Sequence, residues 1–183
     1  TSDMFDFIWD FGDGSSAFGQ TVQHIYADNG MFTVTLTVED DDDETDVSIS
    51  QITVDNISPT LDVSVDQTID EGAMLSITDI GTFSDPGFGP TEMFTFEVDW
   101  GDGSSIDTGT ATIDQNGAMN VLTLGSFDGS HTYADDGIYN VLVRAFDDDN
   151  GSSDDESLPD LTDNRFSVTV NNVMIGGSPR NFN

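Results

Sequence analysis

The chain has 183 residues and no cysteine, and its 36 acidic residues against three arginines give a formal net charge of −33. This charge excludes nucleic acid and anionic membrane surfaces as partners, and the lack of cysteine excludes disulfides and thiolate zinc sites. No apolar run reaches the roughly 18 residues that a membrane span requires, so membrane insertion is not expected.

The acidic residues are strongly biased toward aspartate, which accounts for thirty of the 36. Aspartate favours turns and short-range cages of oxygen ligands, so the bias points to calcium. The alternative is an acidic surface that keeps the protein soluble in salt-rich surroundings. A charge of −33 on a compact body also destabilises the fold through self-repulsion unless cations neutralise part of it.

Alternating apolar residues predict β-strands near the start of the chain. Such residues stand at every second position in two segments, Phe5, Phe7, Trp9, Phe11 and then Phe32, Val34, Leu36, Val38. A period of two indicates strands with one buried face. Gly-Asp-Gly at 12–14 is a turn signal between them, and no segment has a helical period with caps. The sequence therefore predicts an all-β fold.

Three segments of this first part recur later in the chain. WDFGDGSS at 9–16 returns as VDWGDGSS at 98–105, HIYADNGMFTV at 24–34 as HTYADDGIYNV at 131–141, and ITVDNI at 52–57 as VTVNNV at 168–173. This repeat predicts two homologous modules, residues 1–57 and 58–173. The second module carries an additional stretch at about 106–127, interpreted as an inserted hairpin, and 174–183 is a tail or the start of a further module.

The repeated segments resemble the polycystic-kidney-disease (PKD) domain family. The resemblance rests on an aromatic strand that ends in Trp-Asp-Phe-Gly-Asp-Gly and on the following His-x-Tyr-x-x-x-Gly segment. It implies seven-stranded immunoglobulin-like sandwiches, found in strings on cell surfaces or beside secreted hydrolases, and hence an extracellular location. In such folds Tyr26 and Tyr133 would form tyrosine corners, against which His24 and His131 pack or donate hydrogen bonds.

The first module is expected to be incomplete. Residues 59–93 leave room for the A and B strands of the second module, whereas the first begins almost at once with its C strand. Apolar residues such as Phe5, Phe7 and Val34 should then be exposed. Two explanations stay open: the chain is a segment of a longer array, or it is a subunit completed by strands that an identical neighbour donates.

Acidic loops are the strongest candidate sites. VEDDDDETD at 38–46 and AFDDDNGSSDDE at 145–156 both follow the F strand, and neither fits the helix-flanked EF-hand loop. In an immunoglobulin-like sandwich the BC and FG loops share one end with the linker from the preceding module. The predicted calcium ligands are therefore Asp85, Asp147, Asp148, Asp149, Asp55, Asn56, Asp40 and Asp42. The alternative is a solvated acidic loop.

Two other patterns resemble a catalytic and a sugar-binding motif, but each also has a structural interpretation. Asp107-Thr108-Gly109-Thr110 matches the triplet of aspartic proteases, but those enzymes need two carboxylates that share a proton, and a lone triplet in this composition is weak. Trp9, Phe11 and Trp100 could stack on sugars, yet their alternating register places them largely in the core. No catalytic residue is predicted.

Together these features predict a non-catalytic extracellular module with a structural or adhesive role. It would be a link in a calcium-stabilised tandem array or in a self-assembling surface filament, with neighbouring modules or identical subunits as partners. The alternative is an accessory domain of a secreted hydrolase that binds polysaccharide or protein. An exposed aromatic strip would favour the alternative, and the buried register of the aromatic residues favours the structural role.

Overall fold

The computed structural model describes residues 4–154 and 164–173, and the predicted tail at 174–183 lies outside them. Its strands in chain order are β1 (Phe5–Asp10), β2 (Ser16–Phe18), β3 (Gly30–Asp40), β4 (Thr45–Val54), β5 (Thr60–Val63), β6 (Gln67–Asp70), β7 (Met74–Asp85), β8 (Phe94–Asp99), β9 (Asp107–Thr110), β10 (Thr112–Gln115), β11 (Thr123–Thr132), β12 (Gly137–Asp147) and β13 (Arg165–Asn171). The predicted all-β fold is confirmed. Within the described residues no helix is long and apolar enough to cross a membrane.

The first module is a single antiparallel sheet in the order β2-β1-β3-β4. Trp9 lies opposite Leu36, and Phe7 lies opposite Val38. Because directly opposed residues share a face, the alternating aromatic residues of β1 and the aliphatic residues of β3 form one continuous apolar face. Phe32 lies opposite Ile52 of β4, which extends this face across a third strand.

The second module is a sandwich of two sheets, ordered β10-β11-β7-β5 and β6-β13-β12-β8-β9. Its core lies between the sheets and includes Phe83 and Phe127 from one and Phe94, Val98 and Val143 from the other. These side chains come from alternate positions of their strands, as expected where each sheet has one buried face. The second module therefore has a closed hydrophobic core of its own.

Residues 106–127 do not form the separate inserted hairpin that the sequence suggested. Strand β9 extends one sheet as its edge, while β10 and the first half of β11 belong to the other sheet. In the first module the corresponding connection is short and contributes one strand, β2, which pairs with β1 as β9 pairs with β8. The extra residues of the second module are thus part of the sandwich itself, because they supply strands to both of its sheets.

The repeated motifs form the same corner in both modules. The Tyr26 hydroxyl donates to the Phe11 carbonyl at 3.0 Å, and the Tyr133 hydroxyl donates to the Trp100 carbonyl at 3.2 Å, so the predicted tyrosine corners are confirmed. Both histidines stack on the aromatic residue before the glycine turn, at ring-centroid distances of 4.1 and 5.0 Å. Gly12 has a φ of 81°, and a side chain there would overlap the backbone of Thr33. The turn therefore requires glycine.

Candidate metal centre

The two modules meet where the second module presents the ends of β7 and β12. The Phe88 amide donates to the Ala27 carbonyl of the first module at 3.0 Å. Asn56, in the linker, donates through Nδ2 to Oδ2 of Asp147 at 2.8 Å. One backbone contact and one side-chain contact thus tie the modules together at the place where the acidic residues gather.

Asp85 ends β7 and is only 2% exposed. Its Oδ1 accepts a hydrogen bond from the Gly87 amide at 2.7 Å, whereas its Oδ2 is buried and has no hydrogen-bond partner among the described residues. A buried carboxylate oxygen without a partner loses its hydration and gains nothing in return. Asp85 is therefore the carboxylate of this region whose charge is least compensated within the described residues.

Asp147, which ends β12, organises the loop beside Asp85. Its Oδ1 accepts hydrogen bonds from the amides of Asp149 and Gly151. Asn150 adopts a left-handed φ of 70°, and a side chain at Gly151 would overlap the Asp147 carboxylate. These contacts fold residues 147–151 into a tight turn, which holds the carboxylate groups of Asp147, Asp148 and Asp149 close together.

The pKa values report how crowded these carboxylates are. Burial, and then the negative charges of Asp147, Asp148 and Asp149, raise the pKa of Asp85 to about 6, against the lowering effect of the Gly87 amide. Burial, and then Asp148, Asp85 and Asp28, raise the pKa of Glu92 to about 7. The pKa of Asp149 is also raised, by burial and by Asp28 across the junction. Carboxylates from both modules therefore repel one another here.

The nearby arginine does not neutralise this cluster. Arg144 lies on β12, but its guanidinium contacts Glu97 at 3.3 Å and Asp154 at 2.9 Å. The hydrogen bonds that Asp85 and Asp147 accept from Gly87, Asp149 and Gly151 come from backbone amides, which carry no net charge. Compensation for the cluster must then come from protonation or from a bound cation.

The donor types are those that calcium accepts, although within the described residues the three acidic side chains whose oxygens lie within 4.8 Å of one another are Glu71, Asp135 and Asp136, outside this cluster. Carboxylate and amide oxygens are hard ligands, and calcium accepts six to eight of them in flexible geometry. A pocket of about 110 Å³ between the modules is lined by Asp28, Asp55, Asn56, Glu92 and Asp149, among others. Magnesium, which demands near-ideal octahedral geometry, fits such an irregular group of carboxylates less well.

The structure brings most of the predicted ligands to this junction and separates two of them. Asp85 lies beside the residues of the loop after β12, Asn56 contacts Asp147 and Asp55 lines the pocket. Asp40 and Asp42 instead lie at the opposite end of β3, which runs eleven residues away from the junction. They do not belong to the junction cluster.

The loop that begins at Asp40 repeats the turn that begins at Asp147. Oδ1 of Asp40 accepts hydrogen bonds from the amides of Asp42 at 3.0 Å and Glu44 at 2.9 Å. Asp43 has a φ of 64°, like its counterpart Asn150. Within the described residues, however, the buried carboxylates are Asp85 and Asp147, so no second segment crowds this loop as Asp85 crowds the loop after β12.

Sequence reasoning missed two members of the cluster, Asp28 and Glu92. Asp28 belongs to the repeated Tyr-Ala-Asp segment, so its position after the tyrosine corner was a usable signal. Glu92 lies in the irregular connection before β8, and the repeat places Asp3 at the equivalent position of the first module, so an acidic residue there was a usable signal too. Both reach the site because the first module's turn and the second module's BC connection face each other across the pocket.

The residues of the protease-like triplet and of the possible sugar-stacking set have structural roles in the fold. Oδ2 of Asp107 accepts a hydrogen bond from the Trp100 indole at 2.8 Å, which holds the edge strand β9 against the buried indole. Trp100 is 1% exposed and Phe11 is 7% exposed, as the core interpretation predicted. Trp9 is partly buried and donates to the Gly19 carbonyl at 3.0 Å.

Comparison with known proteins agrees with the motifs. Residues 1–54 match the family model of the PKD domain, so the predicted resemblance is confirmed for the first module. Among solved structures, the chain is similar to fibronectin(III)-like modules of Clostridium thermocellum CbhA, with 19% identity, a TM-score of 0.39, and 93% of this chain and 86% of that chain covered. It is also similar to the GspB Siglec domain, with 18% identity, a TM-score of 0.38, and 65% and 60% covered.

Proposed function

We propose that this chain, whose first module matches the PKD domain, is a non-catalytic structural segment of an extracellular protein, in which calcium at the junction fixes the angle between two modules. PKD domains are typically extracellular. The observation that carries the proposal is the buried Oδ2 of Asp85, which has no hydrogen-bond partner and lies among the carboxylates of the next loop.

Calcium would act here by joining the two modules. Asp85, Asp147, Asp148 and Asp149 belong to the second module, whereas Asp28 and the linker residues Asp55 and Asn56 approach from the first. An ion shared by both sides replaces repulsion between the modules with attraction. The bound state then has one preferred interdomain angle, which is the property that a link in a surface array or an adhesive stalk needs.

The linker supports the same conclusion. Only residues 55–59 separate β4 from β5, and Pro59 is buried. The segment contains no glycine, and a residue before proline is restricted to extended conformations. The junction therefore starts with little conformational freedom, so a single ion can remove most of what remains.

The serine, histidine and aspartate groups of the repeated corner are poor catalytic triads. In the first module Nε2 of His24 contacts Oδ2 of Asp13 at 2.7 Å and Oγ of Ser15 at 3.4 Å. A triad needs the carboxylate and the nucleophile on different ring nitrogens, so that the imidazole can accept the serine proton. In addition, Ser15 donates its own proton to Asp13. The corner is built to hold a turn.

Calcium titration by calorimetry tests the proposal. The intact chain should bind calcium with a resolved affinity, and Asp85→Asn should weaken that binding at least tenfold, because it removes one full charge from the centre of the cluster. Asp114→Asn, at an exposed position on β10, is the matched control and should bind as the unaltered chain does. Equal binding by the two variants would refute the assignment of Asp85.

A further inference from the structure

Gly87 lies where the carboxylates of Asp85 and Glu92 converge in the second module. A β-carbon built on Gly87 would lie 2.9 Å from Oδ1 of Asp85 and 2.9 Å from Oε1 of Glu92. Calcium binds its oxygen ligands at about 2.3–2.6 Å, so the space that glycine leaves open is within reach of a cation held by both carboxylates. Gly87 and Glu92 also line the pocket between the modules.

The backbone conformation at Gly87 does not require glycine. Gly89, two residues later, has a φ of 146°, which disfavours other residues, whereas Gly87 has no positive φ. An alanine can therefore adopt the same backbone conformation. What glycine provides at position 87 is the space beside its α-carbon.

Hydrogen bonds on both sides hold the backbone of Gly87 in place. Its amide donates to Oδ1 of Asp85 at 2.7 Å, and its carbonyl accepts a hydrogen bond from the Thr123 hydroxyl at 2.7 Å. Asp85 and Thr123 are each 2% exposed, so neither partner has room to move away. A methyl group at position 87 would therefore push aside the long, half-buried side chain of Glu92.

We propose that Glu92 is a ligand of the ion at the junction, and that Gly87 determines whether the ion can bind because it leaves the space that the ion shares with Asp85 and Glu92. Both assignments rest on the proposed function, since they concern the same calcium site. They add to it one ligand and one uncharged residue on which binding depends.

Glu92 is placed to connect the two modules through the ion. Its carboxylate lies among the negative charges of Asp148 and Asp85 of its own module and of Asp28 of the first module. An ion held by Asp85 and Glu92 compensates two charges that otherwise repel one another, and it also attracts Asp28 across the pocket. The irregular connection before β8 thus supplies the carboxylate that faces both sides.

Calcium titration of the intact chain and three variants tests these assignments. Glu92→Gln and Gly87→Ala should each weaken calcium binding by about tenfold or more, because each removes the same carboxylate from the ion. The double variant should bind no more weakly than Glu92→Gln does, since residues that act through one contact are not additive. Glu44→Gln, at an exposed position in the loop after β3, is the matched control and should bind as the unaltered chain does.

Thermal melts in chelator distinguish a lost ligand from a damaged fold. Without calcium, Gly87→Ala should unfold no earlier than the unaltered chain, because it moves two repelling carboxylates apart and restricts the unfolded chain. A melting temperature that falls equally in chelator and in calcium would indicate a packing defect and overturn the role of Gly87.

The remaining results decide between this proposal and the proposed function. Lost binding in Asp85→Asn, with unchanged binding in Gly87→Ala or in Glu92→Gln, would overturn the proposal and leave the calcium site in place. Additive losses in the double variant would overturn the shared contact. An unaltered chain that binds no calcium would overturn both.

Discussion

Replacing Asp85 by asparagine should stabilise the protein without calcium and remove its response to calcium. The rise of the Asp85 pKa from 3.8 to about 6 corresponds to about 3 kcal/mol of unfavourable free energy for the ionised carboxylate at neutral pH. Asparagine has nearly the same shape, carries no charge and can donate to the neighbouring carboxylates. In chelator the variant should therefore unfold at a higher temperature than the unaltered chain.

Calcium should largely cancel this difference in stability. A ligand at a hundred times its dissociation constant adds about 2.7 kcal/mol to the free energy of unfolding. For a chain of this size each kcal/mol shifts the melting temperature by about 2–4 °C, so the unaltered chain should gain roughly 5–11 °C from calcium. Asp85→Asn should gain little, because the ion loses the charge at the centre of its site.

Thermal melts followed by circular dichroism, in chelator and in calcium, measure both effects. Asp114→Asn serves as the control, since an exposed aspartate on β10 lies away from the junction and should behave as the unaltered chain in both buffers. An Asp85→Asn variant that loses the same stability in both buffers would show that Asp85 is only a structural hydrogen-bond acceptor. A melting curve of the unaltered chain that ignores calcium would refute the metal site.

Four further results are expected. Small-angle scattering in calcium should fit one elongated shape, and a broad distribution of interdomain angles would contradict a fixed junction. Tyr133→Phe should lower the free energy of unfolding by about 1–3 kcal/mol in urea melts, because the buried Trp100 carbonyl loses its donor. Burial alone would raise the pKa of Asp102, but hydrogen bonds from Ser104 and His131 outweigh it and lower that pKa to about 2. The free energy of unfolding should therefore fall as the pH drops from about 4 to 2. Asp102→Asn should flatten this dependence. Hydrogen exchange should be faster at residues 5–11 than at 94–100, because in the described residues no second sheet covers the first module, and equal protection would contradict this.

Strands and corners could be predicted from the sequence because their causes are local. The period-two pattern of β1 and β3 and the glycine turn before each corner depend on residues that are close in the chain. The repeat added the tyrosine corners, since both tyrosines follow the same spacing from the glycine turn. The repeat led to the wrong interpretation of residues 106–127 as an inserted hairpin. The first module, used as the reference, has the short strand β2 and few further residues in the matching connection, so the strands β10 and β11, which complete the sandwich, looked like an addition.

The part of the candidate site that depends on fold topology could be predicted from the sequence. Asp85 and the loop from Asp147 meet because the ends of β7 and β12 lie at the same end of the sandwich, which the fold class implies. Glu92 and Asp28 could not be placed in this way. Their contribution depends on the angle between the modules and on the path of an irregular connection, and neither follows from strand periodicity.

The two acidic loops show why aspartate content alone does not identify a metal site. The turns at Asp40 and Asp147 share their hydrogen-bond pattern. In each of them the residue three positions after the aspartate, Asp43 or Asn150, has a left-handed φ, so the backbone geometry is the same in both. They differ in surroundings: Asp147 is 7% exposed and lies beside the buried, unpartnered Asp85, whereas the first loop has no such neighbour in the described residues. Since water screens the carboxylates of an exposed turn, crowding them costs little there. Burial by a second segment is what distinguishes the turn at Asp147, and it is why the metal site is proposed there.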